Sequence, residues 1–347
     1  MREPFEEWEG ERRTLLSRRI SELGLAIPGT LVERLTTQLY EELAAKGLAF
    51  RPPIYLSDQW GCPDDTPVIG VPFYLADPRL SRIEEEVAVE VESELDSMRF
   101  LRHEAGHAFN YAYRLYNRAD WRQQFGPYSR PYRDRYRVDP LSRQFVRHIL
   151  GWYAQKHPDE DFAETFAVWL TPDTNWREVY AGWPALAKLE YVDGVMVEVG
   201  AEAPDVLAPT PDDLPVESMD YTVEDHYREN DEALPISDER HFDGDLRTIF
   251  ALPTATEEAR DERETAARFL REHRREVVRR ISYWTGEGAA MVRRFVDMLA
   301  ERADALDLRV RDRESSTLIE LTAFGTAVIM NFRYTDTLDA GPPNDGE

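Results

Sequence analysis

The pattern H-E-x-x-H, formed by His103, Glu104 and His107, constrains this 347-residue chain more than any other feature. It lies in a run without proline from residue 95 to residue 116, which predicts a single helix. Side chains four residues apart lie one above the other on a helix, so both imidazoles can bind the same Zn²⁺ ion. Glu104 would lie about 100° around the helix from His103, where it can reach a metal-bound water without binding the metal.

Chance is the alternative explanation, because the chain contains many glutamates. Its composition gives about 0.015 such matches by coincidence over the whole chain, which favours a metal site. A purely solvated stretch of charged helix would not need this spacing. The sequence therefore predicts zinc as the cofactor, with His103 and His107 as two of its ligands.

A second helix is predicted to begin at Pro158 and to end at Thr171, where another proline follows. Glu160 and Glu164 are four residues apart on one face of it, and either could be the third ligand. Two histidines and one carboxylate leave a fourth position for water, as a catalytic zinc site requires. The alternative is that the acids near residue 160 are solvated and only favour the helix dipole.

These two segments, RFLRHEAGHAFNYAY and YAQKHPDEDFAETFAVWL, resemble the putative zinc-binding metallopeptidase family. That gluzincin-like group pairs HExGH with YAxxHPxED(W/F)AET(W/F)A, and the related lethal-factor-like metallopeptidases have a similar arrangement. The resemblance covers residues 100–170. It implies a zincin-like domain with Glu160 as the third ligand and Glu164 as a carboxylate just outside the ligands. It also implies that Tyr153 is the phenol that stabilises the tetrahedral intermediate, although a packing tyrosine is the alternative.

The function implied by the resemblance is zinc-dependent hydrolysis of a peptide or protein substrate, with Glu104 as general base. One alternative is a catalytically silent zincin-fold module that binds or regulates another protein. A weaker alternative is a zinc hydrolase that acts on non-peptide amides. Glu104 distinguishes the peptidase from the silent module, because a metal site with only a structural role does not need this glutamate. His148 and His157 are interpreted as structural.

Composition excludes several other classes of protein. The net charge of −25 and pI near 4.7 disfavour binding to nucleic acid or to anionic lipid. The amino-terminal sequence has no apolar core of a signal peptide, and no run is apolar enough to span a bilayer. Cys62 is the only cysteine, which excludes an internal disulfide and a cysteine-based zinc site. We therefore expect a cytoplasmic protein.

The fold class predicted is α+β, mainly helical with a small sheet. We expect a zincin-like catalytic domain at 1–200, an acidic proline-containing linker or strap at 201–260, a small α+β domain at 261–337, and a disordered tail at 338–347. Residues 54–57 and 68–75 read as strands, whereas 191–199 is ambiguous and favours a helix. In the carboxyl-terminal domain, two helical stripes precede three predicted strands at 306–310, 317–322 and 326–334.

Charge is unevenly distributed along the chain. Residues 201–260 carry a net −13, whereas residues 114–147 carry a net +6 through nine arginines. Opposite charge predicts an intramolecular contact in which the acidic segment limits access to the cleft. Ion pairing within the local surroundings of the arginines is the alternative. Tyr128, Tyr132 and Tyr136 lie among these arginines and are compatible with RNA binding, but the charge of the whole protein argues against it.

Overall fold

The computed structural model describes residues 3–87, 93–133, 136–206, 215–229, 234–252, 263–311, 313–335 and 337–339. The chain divides into two compact units, and the division falls between residues 229 and 230. Unit 1 contains the described residues up to 229, and unit 2 contains those from 234 onwards. The described residues are mainly helical, with one small sheet, as the sequence predicts.

Unit 1 contains nine described α-helices and one parallel pair of strands. The strands pair from Ile54 with Ile69 to Ser57 with Pro72, so the predicted strand at 54–57 is confirmed. The second strand ends at Pro72 and not at residue 75, because a 3₁₀ turn follows at Phe73–Ala76. The elements are β1 (Ile54–Ser57), β2 (Ile69–Pro72), α1 (Glu3–Leu16), α2 (Leu31–Ala45), α3 (Pro78–Val87), α4 (Glu94–Ala112), α5 (Ala119–Phe125), α6 (Pro158–Leu170), α7 (Trp176–Val179), α8 (Ala185–Val199) and α9 (Val223–Glu229).

Helix α4 carries the H-E-x-x-H pattern and begins at a capping box. The Ser93 hydroxyl accepts from the backbone of Asp96, and the Asp96 carboxylate accepts from the backbone of Ser93. Nearly all of α4 beyond its second turn is buried. Even Arg102 is buried there, where two hydrogen bonds of 2.7 Å to Glu42 attach α4 to α2. The predicted helix is confirmed, although it ends four residues earlier than expected.

Helix α6 lies at the centre of unit 1, since all thirteen of its residues are buried. A helix without a solvent-exposed face must satisfy its polar side chains inside the protein. Four of those side chains are carboxylates, at positions 159, 160, 161 and 164, and each has a partner. Asp161 pairs with Lys188 of α8 at 2.5 Å. The predicted start at Pro158 and end before Thr171 are confirmed, and α8 confirms the helix preferred at 191–199.

Close contact between α4 and α6 depends on Gly106. A Cβ atom at this position would lie 2.7 Å from the Cα atom and 2.9 Å from the carbonyl oxygen of Ala163. Only glycine therefore permits the two helices to approach this closely without moving. The approach brings the histidines of α4 to the carboxylates of α6.

Unit 2 is helical in its described part: α10 (Asp243–Ile249), α11 (Ala266–Glu272), α12 (Arg274–Thr285), α13 (Ala289–Ala305) and α14 (Glu314–Thr335). The strands predicted at 317–322 and 326–334 are wrong, because both segments belong to α14. The strand predicted at 306–310 is also wrong, since this segment has only isolated bridges from Arg309 to Ala251 and Thr265. No helix in the described part of the chain has both the length and the apolarity to cross a membrane.

The error in α14 has a physical explanation. Its β-branched and aromatic residues suggested strands, but its buried residues Thr317, Leu321, Gly325 and Ile329 recur every four positions, as on a helix. Gly325, which lies between the two predicted strands, packs against the Ile281 side chain, where a Cβ atom would overlap it. Burial against α12 therefore decides the conformation of this segment.

Apolar side chains anchor the described parts of the acidic segment 201–260. Val216, Met219 and Val223 belong to the core of unit 1, whereas Phe242 and Leu246 belong to the core of unit 2. In the arginine-rich segment, Arg118 pairs with Asp120 and Glu198. The contact between the two segments stays a prediction. Most of the predicted disordered tail, residues 340–347, lies outside the described residues.

Candidate metal centre

Three side-chain atoms from α4 and α6 converge at one buried point. The Nε2 atoms of His103 and His107 are 3.1 Å apart, and Glu160 Oε2 lies 2.9 Å from the first and 3.2 Å from the second. A tetrahedral ion with bonds of about 2.0–2.2 Å needs ligand atoms about 3.3–3.5 Å apart. Small outward rotations of the three side chains would therefore accommodate such an ion, and the three residues fit a metal site.

The other nitrogen of each imidazole is held by a carboxylate of α6. His103 Nδ1 lies 3.0 Å from Glu164 Oε1, and His107 Nδ1 lies 3.0 Å from Asp159 Oδ2. A carboxylate accepts hydrogen bonds, which assigns the proton of each neutral imidazole to Nδ1. Each Nε2 atom then directs its lone pair at the common point. This is the arrangement by which metal-binding histidines are usually oriented.

Electrostatics favour positive charge at this point. Burial lowers the pKa of His103, but its hydrogen bonds with Glu160 and Glu164 outweigh this effect and raise it to about 9. Burial likewise opposes protonation of His107, yet Asp159 and Glu160 raise its pKa well above the usual value. Burial would raise the pKa of Glu160, but the two histidines hold it well below its ordinary range. In the metal-free protein, protons therefore supply the charge that a cation would otherwise bring.

The structure distinguishes the two glutamates that spacing alone leaves equivalent. Glu160 directs one oxygen at both Nε2 atoms, whereas Glu164 contacts only the far side of His103. Glu164 is fully buried and also accepts from the backbone N–H groups of His148 and Ile149. Its position is thus fixed by the loop before α6.

Asp159 has a role that the sequence did not reveal. Besides His107, it accepts hydrogen bonds of 2.6 Å from the Asn110 side chain and from the Tyr111 hydroxyl. In the sequence, Asp159 was interpreted only as an acid that favours the helix dipole. The available signal was that Asn110 and Tyr111 follow His107 by three and four residues, on the same side of the helix.

Glu104 lies beside the cluster without joining it. Its side chain is 7% exposed, and it accepts no hydrogen bond from any residue that the structure describes. Burial raises the pKa of Glu104, whereas the neighbouring His103 and His107 oppose this effect. An unpaired buried carboxylate is costly unless water or another ligand bonds to it.

Two tyrosine hydroxyls meet at the edge of the cluster. The Tyr153 ring lies 5.5 Å from the His103 ring, and its hydroxyl is 3.3 Å from that of Tyr132. Burial raises the pKa of Tyr153 well above its usual value, so the phenol keeps its proton. The Tyr132 hydroxyl donates to Glu160 Oε1. Sequence reasoning had assigned Tyr132 no part in the site.

His157 makes structural hydrogen bonds, as was expected from its place next to Pro158. Its Nδ1 atom accepts from the backbone of Asp159, which caps α6, and its Nε2 atom donates to the Arg130 carbonyl at 2.7 Å. The ring nitrogen Nε2 of His148 donates to the Arg99 carbonyl. Neither side chain is directed at the converging ligand atoms.

Comparison with known protein families agrees with this geometry. A family model described as "Putative zinc-binding metallo-peptidase" matches residues 92–177. The matched range contains α4, α6 and every side chain of the cluster described above, but less than half of the chain. Comparisons with curated proteins and with solved structures found no match.

Proposed function

We propose that this chain is a zinc-dependent peptidase that uses Glu104 as its general base. The observation that carries the proposal is the convergence of two imidazole Nε2 atoms and one carboxylate oxygen at a single buried point. His103, His107 and Glu160 would hold the ion. When bound there, zinc would lower the pKa of a water toward about 7 and polarise the substrate carbonyl.

The side chains behind the ligands keep them in place. Glu164 and Asp159 each hold one imidazole by its Nδ1–H, which fixes both the ring orientation and the tautomer. Because α6 is buried along its whole length, these carboxylates have little freedom to move. The site is therefore ready to bind a metal without a large rearrangement.

Glu104 would take a proton from the attacking water and later deliver it to the leaving amine. Its burial, its place beside the ligands and its lack of a hydrogen-bond partner among the described residues all support this role. A raised pKa makes the carboxylate a better proton acceptor than an exposed glutamate. Tyr153 would donate its hydroxyl proton to the oxyanion that develops on the substrate, where one donor typically contributes about 10²–10³ in rate.

The same fold could instead bind a partner without catalysis. A metal site with only a structural role does not need a carboxylate beside it that binds neither the metal nor another side chain. Glu104 therefore favours the peptidase over the silent module. Peptide substrates are preferred over other amides because of the family match at residues 92–177.

The test is the variant Glu104→Gln, which keeps the size of the side chain but removes its ability to accept a proton. We expect one zinc per chain in the variant and a loss of about 10²–10⁴-fold in peptide cleavage. Metal content is measured by mass spectrometry, and cleavage is measured on an unbiased peptide library. Glu94→Gln, in the exposed first turn of the same helix, is the matched control and should cleave like the original protein.

Two results would contradict the proposal. Retained cleavage by Glu104→Gln would remove Glu104 from catalysis and leave the proton-transfer step without a base. Absence of zinc from the original protein, after exposure to excess zinc and removal of loosely bound ions, would reject the metal site itself.

A further inference from the structure

The two oxygens of Glu160 have different partners. Oε2 faces the Nε2 atoms of His103 and His107, at 2.9 Å and 3.2 Å. Oε1 accepts the hydroxyl proton of Tyr132. A carboxylate with one oxygen held in this way cannot easily turn both oxygens toward the same ion. The hydrogen bond from Tyr132 thus favours binding of a metal through one oxygen only.

The direction of the hydrogen bonds distinguishes the roles of Tyr132 and Tyr153. Tyr132 donates its only hydroxyl proton to Glu160, so its oxygen can only accept from Tyr153. That second contact is 3.3 Å long, well beyond the usual 2.7–2.8 Å of an O–H···O bond, and is therefore weak. Tyr153 can leave it at little cost and donate to a substrate. Tyr132 cannot do so without releasing Glu160.

The loop that carries Tyr132 is attached to the start of α6. The Arg130 carbonyl accepts from His157, and the His157 ring lies 5.3 Å from the Tyr132 ring. His157 is also the residue that caps α6, three positions before Glu160. The ammonium group of Lys156 also lies over the Tyr132 ring, 4.3 Å from its centre. These contacts hold the hydroxyl near Glu160 although half of the Tyr132 side chain is exposed.

We propose that Tyr132 is a positioning residue, which holds Glu160 Oε1 so that only Oε2 binds the metal, and which leaves Tyr153 as the donor to the substrate. This inference rests on the proposed function, because it requires a metal bound by His103, His107 and Glu160. It adds a residue from outside both sequence motifs to the machinery of the site. It also predicts that the loss of the Tyr132 hydroxyl weakens metal binding, whereas the loss of the neighbouring Tyr153 hydroxyl slows catalysis.

The experiment compares Tyr132→Phe with Tyr153→Phe in the full-length protein. Zinc affinity is measured by competition with a chelator, and the visible absorption of the Co²⁺-substituted protein reports the number of ligand atoms. For Tyr132→Phe we expect zinc affinity to fall by about 10–100-fold. We also expect weaker cobalt absorption, since binding through both Glu160 oxygens raises the coordination number. For Tyr153→Phe we expect unchanged affinity and absorption, with a loss of about 10²–10³ in kcat.

Tyr136→Phe is the matched control, because it removes a hydroxyl from the same loop. That hydroxyl donates to the Gly151 carbonyl and not to the cluster. We expect its zinc affinity and its cobalt spectrum to equal those of the original protein. If Tyr136→Phe weakens zinc binding as much as Tyr132→Phe does, the effect belongs to loop stability and the proposal is rejected.

Two further results would contradict the positioning role of Tyr132. Zinc affinity within twofold of the original and an unchanged cobalt spectrum in Tyr132→Phe would overturn the positioning role but leave the peptidase proposal intact. Failure of the original protein to bind either metal would reject the proposed function first, and this inference with it. Because the Tyr132 side chain is 52% exposed, removing its hydroxyl should not prevent folding, and thermal denaturation of the metal-free variant checks this.

Discussion

Replacing Asp159 by Asn should weaken metal binding while the fold is kept. Asp159 Oδ2 accepts from His107 Nδ1 at 3.0 Å, and this bond fixes the tautomer that directs Nε2 at the metal. An amide oxygen can still accept there, but it carries no charge. The variant therefore changes the strength of one contact to a ligand without removing a side chain from the core.

The size of the effect follows from the bonds involved. Hydrogen bonds to charged groups contribute about 1.5–3 kcal/mol and those between neutral groups about 0.5–1.5 kcal/mol. The difference of about 1–1.5 kcal/mol corresponds to roughly a tenfold loss of zinc affinity. The fold should survive because Asn110 Oδ1 has no hydrogen-bond partner in the described structure, and rotation of that amide lets it accept from the new NH₂ group. Asp159→Ala would instead deprive three buried donors of their acceptor, at about 1–3 kcal/mol each.

Zinc affinity is measured by competition with a fluorescent chelator, and the thermal midpoint of the metal-free protein reports the fold. Asp193→Asn is the matched control, since Asp193 accepts from Trp169 and Arg177 and contacts no ligand residue. The control should retain the original zinc affinity. An unchanged affinity in Asp159→Asn, with the fold intact, would refute the reasoning that this carboxylate orients His107.

Gly106→Ala should destabilise the protein by about 1–3 kcal/mol and weaken zinc binding, because a Cβ atom 2.7 Å from Ala163 Cα forces α4 away from α6. Denaturant titration checks this against Gly194→Ala, where a Cβ atom meets nothing within 4 Å, and equal stability of the two variants would contradict it. Zinc uptake should release protons, since the raised pKa of His103, about 9, leaves it protonated at neutral pH and the metal binds only the neutral ring. Affinity should therefore rise steeply with pH through the neutral range, since His103 and His107 must each lose a proton; calorimetry in buffers of different protonation enthalpy measures the release, and a pH-independent affinity would argue against it.

The residues of the cluster show which parts of this protein are determined locally. The spacing of His103 and His107 on a helix depends only on helical geometry, so the sequence predicted both the helix and the pairing of the two imidazoles. Pro158 and Thr171-Pro172 likewise mark the ends of α6 by local backbone constraints. These features need no knowledge of the rest of the chain.

Contacts between segments that are distant in the sequence could be identified only from the tertiary structure. Glu160 and Glu164 share one face of α6, and only the approach of α4 over Gly106 decides which carboxylate meets the Nε2 atoms. Tyr132 reaches Glu160 from a loop without regular structure, where no periodic pattern indicates the direction of a side chain.

The helix at 314–335 in unit 2 is another feature that the sequence alone did not predict correctly. Its β-branched residues favour strands locally, yet packing of Gly325 against Ile281 and burial every four residues select a helix. Local geometry thus determined the pairing of the two imidazoles and the ends of the helices that carry the cluster. The choice of the third carboxylate, the part of Asp159 and Tyr132, and the conformation of α14 depend on packing between segments, whose free energy is not encoded in any short stretch of sequence.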